Sequence, residues 1–350
     1  MEYIAIGSMS GTSLDGVDIS IIKSNGKDTF TEIDNYFHPY PKDLITSLKS
    51  SINQNYLVDS KLPTLISNEY NKAIEHIVSK NKSIQIDVIG IHGQTIFHDE
   101  KLKISIQIFD KKKIKTVCPF LISNFRKNDL LNGGTGAPII PIFHKLIAEK
   151  FKLNNCMFVN IGGVTNITNI KENHIDAYDL CFGNALSDDL VNLSDKNFSY
   201  DNDGDFSRGG SLIKQIEKII LSDPYFSKSS PKSLDRNYFH KYFNIITEHS
   251  HRSLKDTLFT LWNILGSKIL YASNNSKIIL CGGGRKNSTL KEILNNLKLN
   301  VIDVDELGIN GDFIESQGIG YLAIRRLLKL PSSFDKTTGI KKETFLGEIN

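Results

Sequence analysis

Cysteine, proline and tryptophan are scarce in this sequence. Its 350 residues include four cysteines, nine prolines and one tryptophan. The cysteines form no CxxC pair and lie far apart, at Cys118, Cys156, Cys181 and Cys281. This spacing argues against a disulfide framework and predicts reduced, mostly buried thiols in a cytoplasmic protein.

Long apolar runs and concentrated charge of one sign are also missing. No stretch of about 18 apolar residues occurs, so the sequence predicts no membrane span. The amino terminus, MEYIAIGS, lacks the positive segment of a signal peptide and leads directly into a strand. The formal net charge is only +3 and no basic block is present, which makes nucleic acid a poor candidate partner.

The rest of the composition is that of a globular protein. Hydrophobic residues make up 40% of the chain and charged residues 23%, which is ordinary for a protein with a buried core. A chain of 350 residues is long enough for two domains of usual size.

The most informative stretch is Gly7–Asp18, with the sequence GSMSGTSLDGVD. The apolar runs Tyr3–Gly7 and Val17–Ile22 flank it, which predicts two strands joined by a turn of small polar residues. Backbone N–H groups and hydroxyls in such a turn can converge on a phosphate. Asp15 and Asp18 could hold a hydrated Mg²⁺ beside it. An ordinary polar hairpin is the alternative, and the stretch is not a Walker A motif because no Gly-Lys-Ser/Thr follows.

Polar residues follow two further predicted strands in the first part of the chain. Ile86–Ile91 leads into His92-Gly93-Gln94-Thr95, and Val117–Ser123 leads to Arg126. Polar residues at the ends of buried strands are where α/β sheets usually place ligands. Arg126 could bind a carboxylate or phosphate with its planar fork, or instead form a surface ion pair with Asp129. No metal site is predicted at His92, because no third ligand lies at a familiar spacing.

A second strand–turn–strand resembles the first in design. Cys156–Ile161 runs into Gly162–Thr168, and Asp179 follows in what reads as a loop before a helix. Asp179 could cap that helix or act as a general base.

A third strand, Ile278–Cys281, meets Gly282-Gly283-Gly284 before a helix opened by Ser288. These glycines would let the backbone lie close to a ribose or base, or would simply make a tight strand–helix turn. A last helix is predicted from about Phe313 to Leu330, with Glu315 near its start.

The order of these turns is what two related lobes around ATP would need. It resembles the actin-like ATPase superfamily, which includes sugar kinases and the 70-kilodalton heat-shock chaperones. The fold expected from this resemblance is α/β, a two-lobed actin-like ATPase (ribonuclease H-like) with a nucleotide cleft between the lobes. We expect one lobe over 1–130 and the second over 131–312, with the segment 313–350 packing back on the first.

At the level of motifs, the chain resembles the anhydro-N-acetylmuramic acid kinases. The matching stretches run in order almost to the carboxyl terminus: GSMSGTSLDGVD, IHGQTIFH, NFRKNDLLNGGTGAPIIPIFH, VNIGGVTNIT, DGDFSRGG, DPYFSKSSPKS, CGGGRKN and GDFIESQ. Members of this family open 1,6-anhydro-N-acetylmuramic acid with water and transfer the ATP γ-phosphate to O6. The product, N-acetylmuramic acid 6-phosphate, belongs to cell-wall recycling.

The resemblance implies ATP, Mg²⁺ and the anhydro sugar as the molecules bound, with no nucleic acid or membrane partner and with a homodimer as a further expectation. Three residues are implied in catalysis: Asp179 as general base, Glu315 and Arg126. The residues predicted to bind ATP are Gly11, Thr12, Ser13, Leu14, Asp15, Gly16, Val17, Asp18, Gly162, Gly163, Gly282, Gly283, Gly284 and Asn287. Those predicted to bind the sugar are Gln94, Thr95, Arg126, Pro138 and Asn184.

Three stretches depart from the family pattern. The family usually has Asp-Thr-Gly-Pro where this chain has Asp179-Leu180-Cys181-Phe182, Asp-Phe-Arg where it has Asn124-Phe125-Arg126, and Lys-Ser-Thr-Gly where it has Lys232-Ser233-Leu234-Asp235. Two alternatives therefore stay open. One is a kinase of the same fold that acts on another sugar or has low activity. The other is a nucleotide-gated binding protein, which would need a peptide-binding domain, whereas only about 20 residues follow the last predicted helix.

Overall fold

Two β-sheets with helices around them make up the structure, a computed structural model that describes residues 1–11, 13–53, 59–115, 117–172 and 174–350. The strands are β1 Tyr3–Ser10, β2 Gly16–Ser24, β3 Phe30–Pro39, β4 Val88–Asp99, β5 Ile104–Ile108, β6 Phe120–Ser123, β7 Asn155–Ile161, β8 Val164–Lys171, β9 His174–Phe182, β10 Lys277–Cys281, β11 Val301–Asp303 and β12 Glu348–Ile349. The helices are α1 Lys42–Asn53, α2 Leu62–Lys80, α3 Lys127–Leu131, α4 Pro141–Lys150, α5 Asn184–Ser194, α6 Lys214–Leu221, α7 Phe243–Ser250, α8 Leu254–Ser273, α9 Ser288–Asn296, α10 Ile314–Leu327 and α11 Asp335–Thr338.

The two sheets repeat one topology. In the first sheet the order is β12-β6-β4-β1-β2-β3, with β5 paired to β4, and in the second it is β11-β10-β7-β8-β9. Each begins with three antiparallel strands in hairpin succession, and a fourth strand then returns parallel to the first of them. One more strand pairs in parallel with this fourth strand in each sheet: β6 pairs with β4, and β11 pairs with β10. This repeat confirms the two-lobed actin-like ATPase fold, whereas the exact lobe boundaries stay a prediction.

Helix α10 packs directly on β1 of the first sheet. A Cβ atom at Gly7 would lie 2.0 Å from the carbonyl oxygen of Ser316 and 2.2 Å from the nitrogen of Gly320. The helix and the strand can therefore approach this closely only because Gly7 has no side chain. Glu315 lies in the first turn of α10, so this packing fixes its position relative to the first sheet.

The core has three parts. One cluster lies between the first sheet and the helices α1 and α2, and a second surrounds α8 and the second sheet. The third joins the sheets: it includes Ala5 and Ile122 from the first sheet, Phe158 and Ile279 from the second, and Phe143 from α4. Since burial of apolar area is the main favourable term in folding, this shared cluster holds the two sheets together.

Two local predictions were wrong in the same way. Strand β4 runs from Val88 to Asp99, so Gln94 and Thr95 lie within a strand and not after it. Asp179 likewise lies within β9, not in a loop. In both places the strand is long and mostly buried but continues through polar residues. A prediction based on apolar runs therefore ends the strand too early.

The described part of the chain contains no helix that is long and apolar enough to cross a membrane.

Candidate active site

A cleft of about 690 Å³ is lined by residues from both sheets. Of the predicted site residues, it contains Gly11, Ser13, Leu14, Asp15, Asp18, Thr95, Arg126, Pro138, Gly162, Gly163, Asp179, Asn184, Gly282, Gly283, Gly284, Asn287 and Glu315. Gly16, Val17 and Gln94 do not line it. Thr12 lies outside the described residues. The structure therefore brings together most of the residues that the glycine turns and the family resemblance predicted.

Gly11, in the turn between β1 and β2, presents bare backbone to the cleft. A Cβ atom at Gly11 would meet nothing closer than the Ser13 hydroxyl at 3.6 Å. At Gly16, by contrast, a Cβ would lie 2.4 Å from the carbonyl oxygen of His38 on β3. Gly16 thus serves strand packing, and Val17, which is fully buried, serves the core.

The other two glycine turns also contain both kinds of glycine, those with open space beside them and those packed against protein. A Cβ at Gly162 would meet only the carbonyl oxygen of Val164, at 3.6 Å, and one at Gly283 only the Asn184 amide nitrogen, at 3.8 Å. Gly284 has no such room, because a Cβ there would lie 2.2 Å from the side chain of Ile161. Open space beside a glycine that faces a cleft indicates that the absence of a side chain makes room for a ligand and not for another part of the protein.

Two polar residues predicted to bind ligands have structural partners. Asn287 caps α9, since its side-chain oxygen accepts a hydrogen bond from Leu290 N over 2.9 Å. Gln94 is fully buried and donates to the carbonyl oxygen of Gly11 over 2.8 Å. Gln94 therefore stabilises the first glycine turn through its backbone and does not line the cleft.

Three side-chain oxygens of the cleft are buried without a hydrogen-bond partner in the structure. They belong to Thr95, Asn160 and Asn166, and all three residues line the cleft. A buried polar atom without a partner costs roughly 1–3 kcal/mol, so a site with three such atoms is built for a polar ligand.

Asp179 lines this cleft and is 5% exposed. Its Oδ2 accepts a hydrogen bond from Leu234 N over 2.8 Å. Burial raises the pKa of Asp179 to about 7, with further upward contributions from the charges of Glu100 and Glu315, while the Leu234 N–H and the charge of Arg126 oppose the rise. A carboxyl group with a pKa near neutrality is suited to accept a proton and release it again.

The alternative role of Asp179 as a helix cap is wrong. Helix α5 begins at Asn184, its cap position is Gly183, and no side chain caps it. Asp179 is separated from that helix by the end of β9.

Arg126 reaches the cleft from the turn before α3. Its Nε donates to His92 Nε2 over 3.1 Å, and one terminal nitrogen donates to the carbonyl oxygen of Gly136 over 3.2 Å. The predicted alternative, a surface ion pair with Asp129, is wrong because Asp129 is fully buried and accepts hydrogen bonds from Gly136 N and from the Thr338 hydroxyl. Arg126 therefore keeps donors for a ligand in the cleft.

Four carboxyl groups of the cleft lining act on one another electrostatically: Asp15, Asp18, Asp312 and Glu315. Burial and the charges of Asp15, Glu315 and Asp312 raise the pKa of Asp18 well above its usual range. Burial also raises the pKa of Glu315, against the charge of Arg126 and a hydrogen bond with Asn160. Such mutual repulsion is relieved by a bound cation, and carboxylate oxygens are ligands that Mg²⁺ accepts, often through water.

Asp188 is a cleft residue that sequence reasoning missed. Burial, together with the charge of Asp189, raises its pKa to about 8, and it lines the same cavity. A signal was present in the sequence: Asp188 follows Asn184 by four residues on a helix, which places both on one face.

Known proteins are similar to this chain over almost its whole length. The model of a family described as anhydro-N-acetylmuramic acid kinase matches residues 2–350 of this chain. An anhydro-N-acetylmuramic acid kinase of Pelagibacter ubique is 35% identical, with 99% of this chain and 98% of that protein aligned. The protein of the same name from Zymomonas mobilis is 32% identical, with 99% of each aligned.

Likeness to solved structures is weaker. Component A of the (R)-2-hydroxyglutaryl-CoA dehydratase of Acidaminococcus fermentans aligns with 93% of this chain and 100% of its own, at 9% identity and a TM-score of 0.47, which is too low to inform function. The full-length family match and relatives above 30% identity are decisive without it: this chain belongs to the anhydro-N-acetylmuramic acid kinase family.

Proposed function

We propose that this chain opens 1,6-anhydro-N-acetylmuramic acid with water and phosphorylates O6 from ATP, giving N-acetylmuramic acid 6-phosphate. Membership of the family supports the substrate and the role in cell-wall recycling. The observation that carries the mechanism is Asp179, a buried carboxyl group with a pKa of about 7 in a cleft that open-faced glycines of both sheets line.

Asp179 acts as the general base for the attacking water. The water oxygen bonds to the anomeric carbon, its proton passes to Asp179, and the bond from that carbon to O6 breaks. O6 then takes the γ-phosphoryl group while the bond to the bridging oxygen breaks and ADP leaves. General-base catalysis of this kind contributes about 10²–10⁴-fold to the rate.

The polyphosphate of ATP lies along the turns at Gly11 and Gly162, and the adenosine lies along the turn at Gly283. Each offers backbone without a side chain to the cleft, and peptide N–H groups without a nearby Cβ can approach phosphate oxygens closely. Phosphoryl transfer depends on positioning and on stabilisation of charge more than on covalent help from the protein, which is what these turns provide.

Arg126 stabilises negative charge beside Asp179. Its hydrogen bonds to His92 and Gly136 fix the plane of the guanidinium group, and burial lowers the pKa of His92 to about 3, so His92 stays neutral and accepts from Arg126. The fixed donors of Arg126 suit a phosphate oxygen or the carboxylate of the sugar.

Asp18 and its carboxylate neighbours fit a Mg²⁺ ion near the phosphates. Among the described residues no group of three His, Cys, Asp or Glu side chains is arranged to hold a metal ion directly. We therefore propose that Asp18 and Asp15 bind the ion through water, as Mg²⁺ usually keeps several of its waters. When bound, the ion would offset charge on the transferred phosphoryl group.

A kinase of another sugar with the same fold is the second candidate, and two of the three departures from the family pattern do not support it because they lie away from the cleft. Leu180, Cys181 and Phe182 are buried in the core of the second sheet and do not line the cleft, unlike Asp179 before them. Asn124 is paired with Glu348 over 2.6 Å. These two departures therefore change packing more than the surface that a sugar would contact, whereas Leu234 and Asp235 of the third stretch line the cleft.

The test is to incubate the protein with ATP, Mg²⁺ and the anhydro sugar in ¹⁸O-labelled water and to analyse the product by mass spectrometry. The expected product carries ¹⁸O at the anomeric position and phosphate at O6. Glucose, N-acetylglucosamine and N-acetylmuramic acid in parallel reactions distinguish the second candidate, since a faster reaction with one of them would reassign the substrate.

The proposal also includes a cytoplasmic location, where ATP is the available donor and where the four free cysteines stay reduced. A homodimer is the proposed assembly, and light scattering of the purified protein would measure it directly.

A further inference from the structure

Two consecutive peptide N–H groups connect Glu100, in the turn after β4, to Asp179 in β9 of the second sheet. Ser233 N donates to Glu100 Oε2 over 2.7 Å, and Leu234 N donates to Asp179 Oδ2 over 2.8 Å. The nitrogen of Asp179 in turn donates to the carbonyl oxygen of Lys232 over 3.0 Å. The segment 232–234 therefore runs alongside β9 and is attached on its other side to the turn that follows β4.

The Ser233 hydroxyl strengthens the attachment to the first sheet. It donates to Glu100 Oε2 over 3.1 Å and lies 3.1 Å from His98 Nε2. Burial lowers the pKa of His98 to about 3, so the ring is neutral and one nitrogen donates while the other accepts. Since the Ser233 proton goes to Glu100, His98 Nε2 is the donor to Ser233, and His98 Nδ1 lies 3.0 Å from the Ser105 hydroxyl oxygen.

We propose that Glu100 is a positioning residue for the catalytic base, acting on Asp179 through the peptide N–H groups of Ser233 and Leu234. This inference rests on the proposed role of Asp179. Glu100 lies outside the cleft lining, and its other partner, Lys228, is 3.4 Å away. Its effect on the reaction is therefore indirect: it holds the segment that donates a hydrogen bond to the base.

Charge and attachment act on Asp179 with opposite signs, which makes them separable. The titratable side chains that act electrostatically on Asp179 are Arg126 before α3, Glu100 after β4 and Glu315 on α10. The negative charge of Glu100 raises the pKa of Asp179, whereas the Leu234 N–H lowers it. Removal of the charge alone should lower this pKa, and release of the segment alone should raise it.

Two substitutions at one position test the two effects. Glu100→Gln keeps the length and an acceptor oxygen for Ser233 but removes the charge. Glu100→Asp keeps the charge, but its carboxylate is one methylene too short to reach Ser233 N. The measurement is kcat and kcat/KM against pH for the complete reaction, because the acid limb of kcat/KM reports the pKa of the base in the free enzyme.

We expect Glu100→Gln to shift the acid limb by about 0.5 pH unit to lower pH and to keep kcat within about twofold. The shift is small because one screened charge contributes only a fraction of the ~1.4 kcal/mol that corresponds to one pKa unit. We expect Glu100→Asp to shift the limb to higher pH and to lower kcat about 10-fold, because small displacements of a reacting group are costly. The matched control is Asp99→Asn, which removes a neighbouring charge and keeps an acceptor for Lys101 N and Leu102 N; its profile should match the wild type.

The inference is overturned if Glu100→Asp has the wild-type acid limb and kcat, or if it behaves like Glu100→Gln, since a charge effect alone would then account for both. Failure of the proposed function would look different. An Asp179→Asn variant with full activity would remove Asp179 as the base, whatever the two Glu100 variants did.

Discussion

Replacing Asp179 by asparagine should abolish efficient turnover and at the same time make the folded protein more stable at alkaline pH. The folded-state pKa of this group is about 7, against an ordinary value of 3.8. The folded protein therefore binds more protons at this group than the unfolded chain does between about pH 4 and pH 7, and its stability falls as the pH rises through that window.

The size of the effect follows from the same shift. A difference of about three pKa units at ~1.4 kcal/mol each corresponds to at most about 4 kcal/mol of destabilisation above pH 7. Asp179 is only 5% exposed, so solvent screens little of it. Asparagine keeps an oxygen to accept from Leu234 N and carries no charge, so the variant avoids this cost and loses only the basicity, worth about 10²–10⁴-fold in rate.

The assay is thermal or urea unfolding of wild type and Asp179→Asn at pH 5, 7 and 9, alongside steady-state kinetics. The stability gain should be smallest at pH 5 and largest at pH 9. Asp176→Asn is the matched control, because Asp176 is an exposed residue of the same strand. A gain that did not change with pH, a variant less stable at pH 9, or turnover within a few-fold of wild type would refute the reasoning.

Three further predictions concern the cleft. Gly162→Ala should weaken ATP binding at least ~10-fold by calorimetry with an unchanged melting temperature, because its Cβ has 3.6 Å of clearance within the protein; Gly284→Ala should instead lower the melting temperature, because its Cβ would lie 2.2 Å from Ile161. Arg126→Lys should lower kcat about 10²-fold, since a lysine cannot reproduce both hydrogen bonds to His92 and Gly136; equal rates would exclude a role for the planar fork. Removal of Mg²⁺ with EDTA should stop phosphorylation and added Mg²⁺ should restore it, while undiminished activity in EDTA would exclude the proposed ion.

Sequence reasoning succeeded where a property depends on neighbouring residues. The three glycine turns follow apolar runs that form strands β1, β7 and β10, because small residues after a buried strand are a local signal. The same reasoning failed for Asp179 and Gln94, which lie inside strands. Long strands that continue through polar residues are stabilised by partners distant in the chain, such as segment 232–234 beside Asp179.

By itself, the sequence determined the family, the α/β class and the set of turns that would surround ATP, because each rests on a contiguous motif. The tertiary structure alone decided what each residue of those motifs does. It separated Gly11, which faces the cleft, from Gly16, which packs on β3, and it made Asp179 a base of nearly neutral pKa. Desolvation and hydrogen bonding depend on atoms that folding brings from elsewhere in the chain, as it brings Glu100 and Leu234 to Asp179, and no local pattern records them.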